Sequence, residues 1–139
     1  MNNNAPLDHF GADFINNVRD ASLHTLTQML AGKMQDRANQ QLHQQIATLD
    51  EAQRAAVCAA LYKAVDLTLH NTLFFFEQNI GDWRIAHSAQ GVDDLAALSD
   101  GLCGELYTED GWIARHSEYP PLEAVLAAAM AQENGDKAA

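Results

Sequence analysis

The chain has 139 residues, 47% of them hydrophobic and 19% charged, a balance typical of globular rather than disordered or fibrous sequences. Eight Lys and Arg stand against 19 Asp and Glu, giving a formal net charge of −11. That sign opposes binding to nucleic acid and to anionic membrane surfaces and favours encounter with a basic protein.

From Pro6 to Leu30 the apolar positions Leu7, Phe10, Phe14, Ile15, Val18, Leu26, Met29 and Leu30 follow three-to-four spacing, which predicts an amphipathic helix ended by Gly32. A second helix is expected from Met34 through Ala38 and Leu42 to Ile46, its outer face nearly all Gln, Asn and charge, so it should be the most solvated of the set. Thr48 and Glu51 have the spacing of a capping box and should start a long helix, because Leu49 to Ile80 contains neither Gly nor Pro. Its stripe Cys58, Leu61, Val65, Leu69, Leu73, Phe76, Ile80 is flanked by Ala60, Leu67 and Phe74. Such a wide apolar surface marks a central bundle helix, with Lys63, Asp66, His70 and Glu77 as one narrow polar strip and Gly81 as its end.

Beyond Gly81 the periodicity stops. Trp83–Ser88 reads as a short strand or extended connector, and 92–98, 105–110 and 111–117 each allow only one or two helical turns. Pro121 then suits the first turn of a last helix over 122–132. The expected fold is all-α, a three- to four-helix bundle with a long central helix and an irregular acidic C-terminal segment. It forms a single helical domain over 1–139, frayed at 1–5 and 133–139. The N-terminal residues lack the charged and apolar regions of a secretory signal, no stretch reaches the length of a membrane span, and Cys58 and Cys103 are not in paired spacing. These features point to a cytoplasmic protein with reduced thiols.

The irregular segment holds the candidate chemistry. Asp100, Glu105, Glu109 and Asp110 supply the hard oxygen ligands that calcium prefers, yet an EF-hand frame begun at Asp100 meets Leu102 and Gly104 where it needs polar ligands. A nonstandard divalent site or a general-base carboxylate at Glu105 or Asp110 stays open beside plain turn roles for the Asp-Gly pairs. The glycines around Cys103 lack the Lys and Ser/Thr of a phosphate loop. Cys103 and His116 are the nearest thiol and imidazole, but surrounding carboxylates disfavour a thiolate. Asp66 and His70, one helical turn apart, form a minimal metal pair, with a solvated strip as the plainer account. Phe74, Phe75 and Phe76 either meet core on three sides or offer an association face.

Tyr107, Trp112 and Tyr119 lie among Glu105, Glu109, Asp110 and Glu118. Aromatics set in acidic surface suit capture of an Arg or Lys side chain. The alternative is that Trp112 and Ile113 plug the segment onto the helices while Arg115 pairs internally with Asp110 or Glu118. The binding reading takes Asp100, Glu105, Tyr107, Glu109, Asp110, Trp112, Arg115 and His116 as contact residues for a basic protein partner. No catalytic set or cofactor signature is evident, and homodimerisation through the long helix is a further possibility.

The runs Ser99–Leu102, Gly104–Leu106 and Glu109–Ile113 resemble a segment of small, mostly helical bacterial proteins classed as a domain of unknown function, the likeness covering roughly Leu49 to Tyr119. The resemblance implies an all-helical fold and carries over no catalytic residue.

Overall fold

The computed structural model describes residues 4–79 and 81–138, for 136 and 138 the backbone alone. Ile80 and residues 1–3 and 139, for which a stripe position and frayed ends were expected, lie outside the described residues. The chain is all-α: no strand occurs among the described residues, and α1 (Ala5–Phe14), α2 (Ala21–Leu30), α3 (Arg37–Ala47), α4 (Glu51–Gln78), α5 (Trp112–His116) and α6 (Leu122–Ala138) follow in order. Its contacts divide into two compact units, the first built from Met1–Asp20 and Leu67–Glu118 and the second from Ala21–Asp66 and Tyr119–Ala139.

In the first unit α1 starts with Pro6 in its opening turn and runs into a π-helical stretch, Ile15–Asp20. Leu7, Gly11, Ile15 and Arg19 are all buried at four-residue intervals. An ideal α-helix carries every fourth residue about 40° further round its axis, and the wider π turn corrects this drift, so that Arg19 faces inward. Val18, expected on the apolar face, is turned outward and is 42% exposed.

The C-terminal part of α4 buries Leu69 and Leu73 on one line and leaves Leu67, Phe74 and Phe75 exposed. Of the two readings left open for the phenylalanines, core on three sides is corrected, as is burial of the flanking stripe: one face of the helix is covered here, and Phe74 and Phe75 are surface residues. At Gly81, which takes φ +94, the chain turns, with the Asp82 and Trp83 amides donating to the Asn79 carbonyl, and then runs without regular structure to an isolated His87–Val92 bridge closed by Gly91 at φ +66. Three short 3₁₀ turns follow, Ser88–Gln90, Leu95–Leu98 and Leu102–Leu106, before α5.

In the second unit α2 ends before Gly32, which has φ +75 and lies under the His43 ring, where an added Cβ would come within 2.7 Å of Nε2. His43 Nδ1 donates to the Leu30 carbonyl at 2.9 Å, tying α3 to the end of α2. Helix α3 has no buried residue, in keeping with a solvated outer face, although α6, with none of its described side chains buried, is no less exposed. Its cap is Asp36, whose carboxylate accepts from the Asn39 amide at 3.1 Å and is held below its ordinary value by hydrogen bonds from Asn39.

The start of α4 corrects a sequence expectation. Asp50, not Thr48, is the cap: its Oδ1 accepts from the Gln53 amide at 2.7 Å while Gln53 Oε1 accepts from the Asp50 amide at 3.1 Å. The reciprocal box is the one foreseen, shifted two residues along, because Thr48 donates its hydroxyl to the Gln45 carbonyl at the end of α3. Ala59, Tyr62 and Asp66 form the buried line of this half of α4. Helix α6 continues to Ala138, beyond the expected stop at 132, with a Lys137–Glu133 ion pair in its last turns. Burial of an acid on the covered line also corrects the assignment of Asp66 to a solvated strip.

Candidate functional site

The irregular segment of the first unit is pinned from inside. Val92, Leu95, Ala96, Leu102, Leu106, Trp112 and Ile113 are all buried, so a chain with little regular structure still has one buried side chain every few residues. Asp94 caps the second 3₁₀ turn by accepting from the Ala96 amide at 3.2 Å. Trp112 is the largest anchor and is fully buried. Its ring meets Phe10 edge-on at 5.7 Å and covers Gly11, where a Cβ would come within 2.5 Å of the indole. Only glycine at position 11 lets the ring reach α1. Trp112 is therefore part of the core and not a surface aromatic for a partner, which corrects that candidate.

The end of the segment is fastened by polar contacts. Arg19, fully buried in the π stretch, donates from Nη1 to Ser117 Oγ at 2.7 Å. Ser117 Oγ donates to Asp20 Oδ1 at 2.5 Å, and the Glu118 amide donates to Asp20 Oδ2 at 2.9 Å. A buried carboxylate with two donors and a buried guanidinium on the same serine form a lock in which each polar group compensates another's desolvation. Sequence reading missed this pair. The available signal was Arg19 standing four residues after Ile15 and eight after Gly11, on what proves to be the buried line. His116, also proposed as a contact residue, has a buried Nε2 without a hydrogen-bond partner among the described residues, as does Trp112 Nε1. His116 thus belongs to the inner side of α5.

The remaining candidates separate by exposure. Asp93, Asp100, Glu109 and Asp110 are exposed. Glu105 is half-buried and accepts from Ser99 Oγ at 2.8 Å, while the same Ser99 oxygen accepts from the Gly101 amide at 3.2 Å. Arg115 forms its ion pair with Asp8 of α1 at 2.9 Å, not with Asp110 or Glu118, because α5 packs on α1. Tyr107 is 40% exposed, and its hydroxyl shares a hydrogen bond of 3.0 Å with His70 Nδ1. The His70 ring in turn stacks on Phe74 with 14° between planes and 6.2 Å between centroids. Immediately after Tyr107 the chain turns through Thr108, a non-glycine residue at φ +75, and closes with the Gly111 amide on the Thr108 carbonyl at 3.1 Å. A Cβ at position 111 would fall 1.9 Å from the Tyr107 carbonyl oxygen, so the turn requires glycine there. Glu109 and Asp110 are displayed at its tip.

Glu77 approaches Cys103, whose Sγ donates to Oε2 at 3.7 Å. Burial, then the Glu77 charge and its hydrogen bond, push the Cys103 thiol above its ordinary value, the direction opposite to that of an activated nucleophile. Among the described residues no three His, Cys, Asp or Glu side chains come together as a metal ligand set. Asp66 is buried and His70 is engaged with Tyr107, so the metal pair read from their spacing is not formed as an open site. No helix among the described residues is long and apolar enough to cross a membrane. Comparison of the chain with protein-family models, curated proteins and solved structures gives no match.

Proposed function

We propose that this is a non-enzymatic, cytoplasmic bacterial binding protein that docks on the basic surface of a protein partner through residues 93–118, in the manner of an immunity-type inhibitor or small regulator. The observation that carries the reading is the outward display of Asp93, Asp100, Glu109 and Asp110 on a backbone held from beneath by Leu95, Leu102, Leu106 and Trp112. No Lys or Arg lies within 93–110 to neutralise them, and Arg115 is engaged with Asp8. A pre-ordered surface avoids much of the ordering cost of association, and a field of one sign steers an oppositely charged partner. Tyr107, exposed beside Glu109 and Asp110, offers a ring face for a guanidinium or ammonium group. The resemblance of Ser99–Ile113 to a bacterial helical family fits the same reading. A carboxylate-centred enzyme or metal site has weaker support, since Glu105 is held by Ser99 while Asp110 is exposed at a turn.

The test begins with a protein captured from a bacterial lysate, identified and purified, and then titrated against this chain by calorimetry. Replacing Glu109→Lys and Asp110→Lys together should weaken its binding tenfold or more and flatten the salt dependence. The matched pair Asp13→Lys and Glu123→Lys, remote in sequence and also exposed, should change it less than twofold. Equal affinities for the two double variants, with both folded by circular dichroism, would remove the proposal.

A further inference from the structure

The second unit carries an apolar groove of about 730 Å³ between α4 and α6 that the acidic segment takes no part in. Its floor is Ala52, Ala56, Ala59 and Ala60 of α4, and its wall is formed by Leu126 and Met130 of α6. Leu126 is 42% and Met130 64% exposed, so the wall stands in solvent beside a floor of small side chains. A ridge of large residues beside a furrow of small ones is self-complementary: an inverted copy can set its ridge in the furrow and receive the other's in turn.

The charges at the rim give this face a direction. Lys63 lies at one end of the α4 line, exposed and without an ion pair among the described residues, while Asp50 lies at the other. Glu133 also borders the groove but is already paired with Lys137. Asp50, Gln53, Ala56, Ala60 and Lys63 follow spacings of three and four and so share one side of α4. Asp50 and Lys63 are separated by about 20 Å along the axis at 1.5 Å per residue, and the midpoint between them falls beside Ala56.

We propose that this groove is a self-association face, in which a second copy of the chain lies antiparallel across α4 and α6 about a two-fold axis passing near Ala56. Lys63 of each copy then stands beside Asp50 of the other at both ends. Parallel packing would set like charges together, and an uncharged apolar occupant would leave Lys63 without a counter-charge, whereas Asp50, although its Oδ1 caps α4, keeps the negative charge that Lys63 of a second copy would meet. The alanines at the crossing let the two α4 helices approach closely, and Leu126 and Met130 cover the contact from the sides. The face stands independently of the acidic docking surface on the first unit.

Sedimentation equilibrium of the full chain across nanomolar to high micromolar concentration tests it, together with native mass spectrometry. A reversible monomer–dimer equilibrium is expected, with Ala56→Glu weakening it at least a hundredfold and Lys63→Asp at least tenfold. Ala56 is exposed in a single copy, so circular dichroism of Ala56→Glu should match that of the wild type; if that variant fails to fold, Met130→Glu serves in its place with the same expected dissociation. In a chain carrying Cys58→Ser and Cys103→Ser, Ala56→Cys should form a disulfide-linked dimer under mild oxidation while Ala97→Cys should not. A folded chain that is monomeric throughout, a dimer indifferent to these substitutions, or a monomer carrying an apolar small molecule in the groove overturns the proposal.

Discussion

The segment over 92–113 and helix α6 have opposite characters. The segment has only short 3₁₀ turns and part of one short helix, yet seven of its side chains are buried, Trp112 completely. Helix α6 is regular from Leu122 to Ala138, yet none of its side chains described is fully buried. Order therefore has two sources in this chain. In α6 it comes from the backbone: six alanines, two leucines and a methionine are strong helix formers, so the helix needs little from its surroundings. In the segment it comes from side chains that hold the backbone to the rest of the first unit, because 3₁₀ turns satisfy few hydrogen bonds of their own.

The sharpest way to break the comparison is to remove an anchor. Trp112→Ala deletes the largest fully buried side chain and should cost about 4 kcal/mol. Gly11→Ala, which forces a methyl group into the space of the indole, should cost about 2 kcal/mol. Urea unfolding followed by far-ultraviolet dichroism measures both. Leu102→Ala belongs with them at about 3 kcal/mol, since Leu102 has no exposed surface. If Trp112→Ala unfolds at the wild-type midpoint, the segment is not held from within.

How much of this was legible follows from the same division. The helices were readable because their order is local: spacing marked α2, α3 and α4, glycines at 32 and 81 stopped them, and the proline pair set the start of α6. The all-α class followed directly. What was not legible depends on tertiary placement. Trp112 among carboxylates has the same sequence context whether it faces water or Gly11, and only the close approach of α1 decides. Arg19 and Asp20 stand outside the apolar spacing of the first helix, and their burial is not legible because a π stretch, which rephases the helix by part of a turn, has no clear signature in residue type. The cap of α4 moved from Thr48 to Asp50 because two residues competed for one role and Thr48 found a nearer acceptor. Of the proposed contact residues, Asp100, Glu109, Asp110 and Tyr107 are exposed, whereas Trp112 and His116 are turned inward.

A smaller effect sharpens the other side of the comparison. At a concentration at which sedimentation finds only monomer, Leu126→Ala should change stability by less than about 1 kcal/mol, since the side chain is 42% exposed and alanine is the better helix former. The same urea titration reads it against Leu102→Ala. Identical chemistry at the two sites should thus differ severalfold in cost. Equal losses would mean that α6 is held by packing as the segment is, and the contrast between them would disappear.

The least effect expected on stability, and the most local, concerns Cys103. Folding raises this thiol above its ordinary value through burial, then through the Glu77 charge and hydrogen bond, so the folded chain keeps the proton to higher pH than the unfolded chain does. Stability linked to it is fully present below the ordinary thiol range and is lost as pH rises through the folded value. Glu77→Gln removes the charge and leaves the burial, so the thiol should fall part of the way toward its ordinary value. Cys58 is raised by burial alone and supplies an internal reference. Alkylation by iodoacetamide at pH 8, followed by peptide mapping, should therefore run severalfold faster at Cys103 in Glu77→Gln than in the wild type, with the Cys58 rate unchanged. A parallel rise at both thiols would signal general loosening, and no rise at Cys103 would mean that burial alone sets its reactivity. Because Glu77 lies on α4 and Cys103 on the third 3₁₀ turn, the ratio of the two rates reports whether the segment stays seated on the helix, which the display of Glu109 and Asp110 requires.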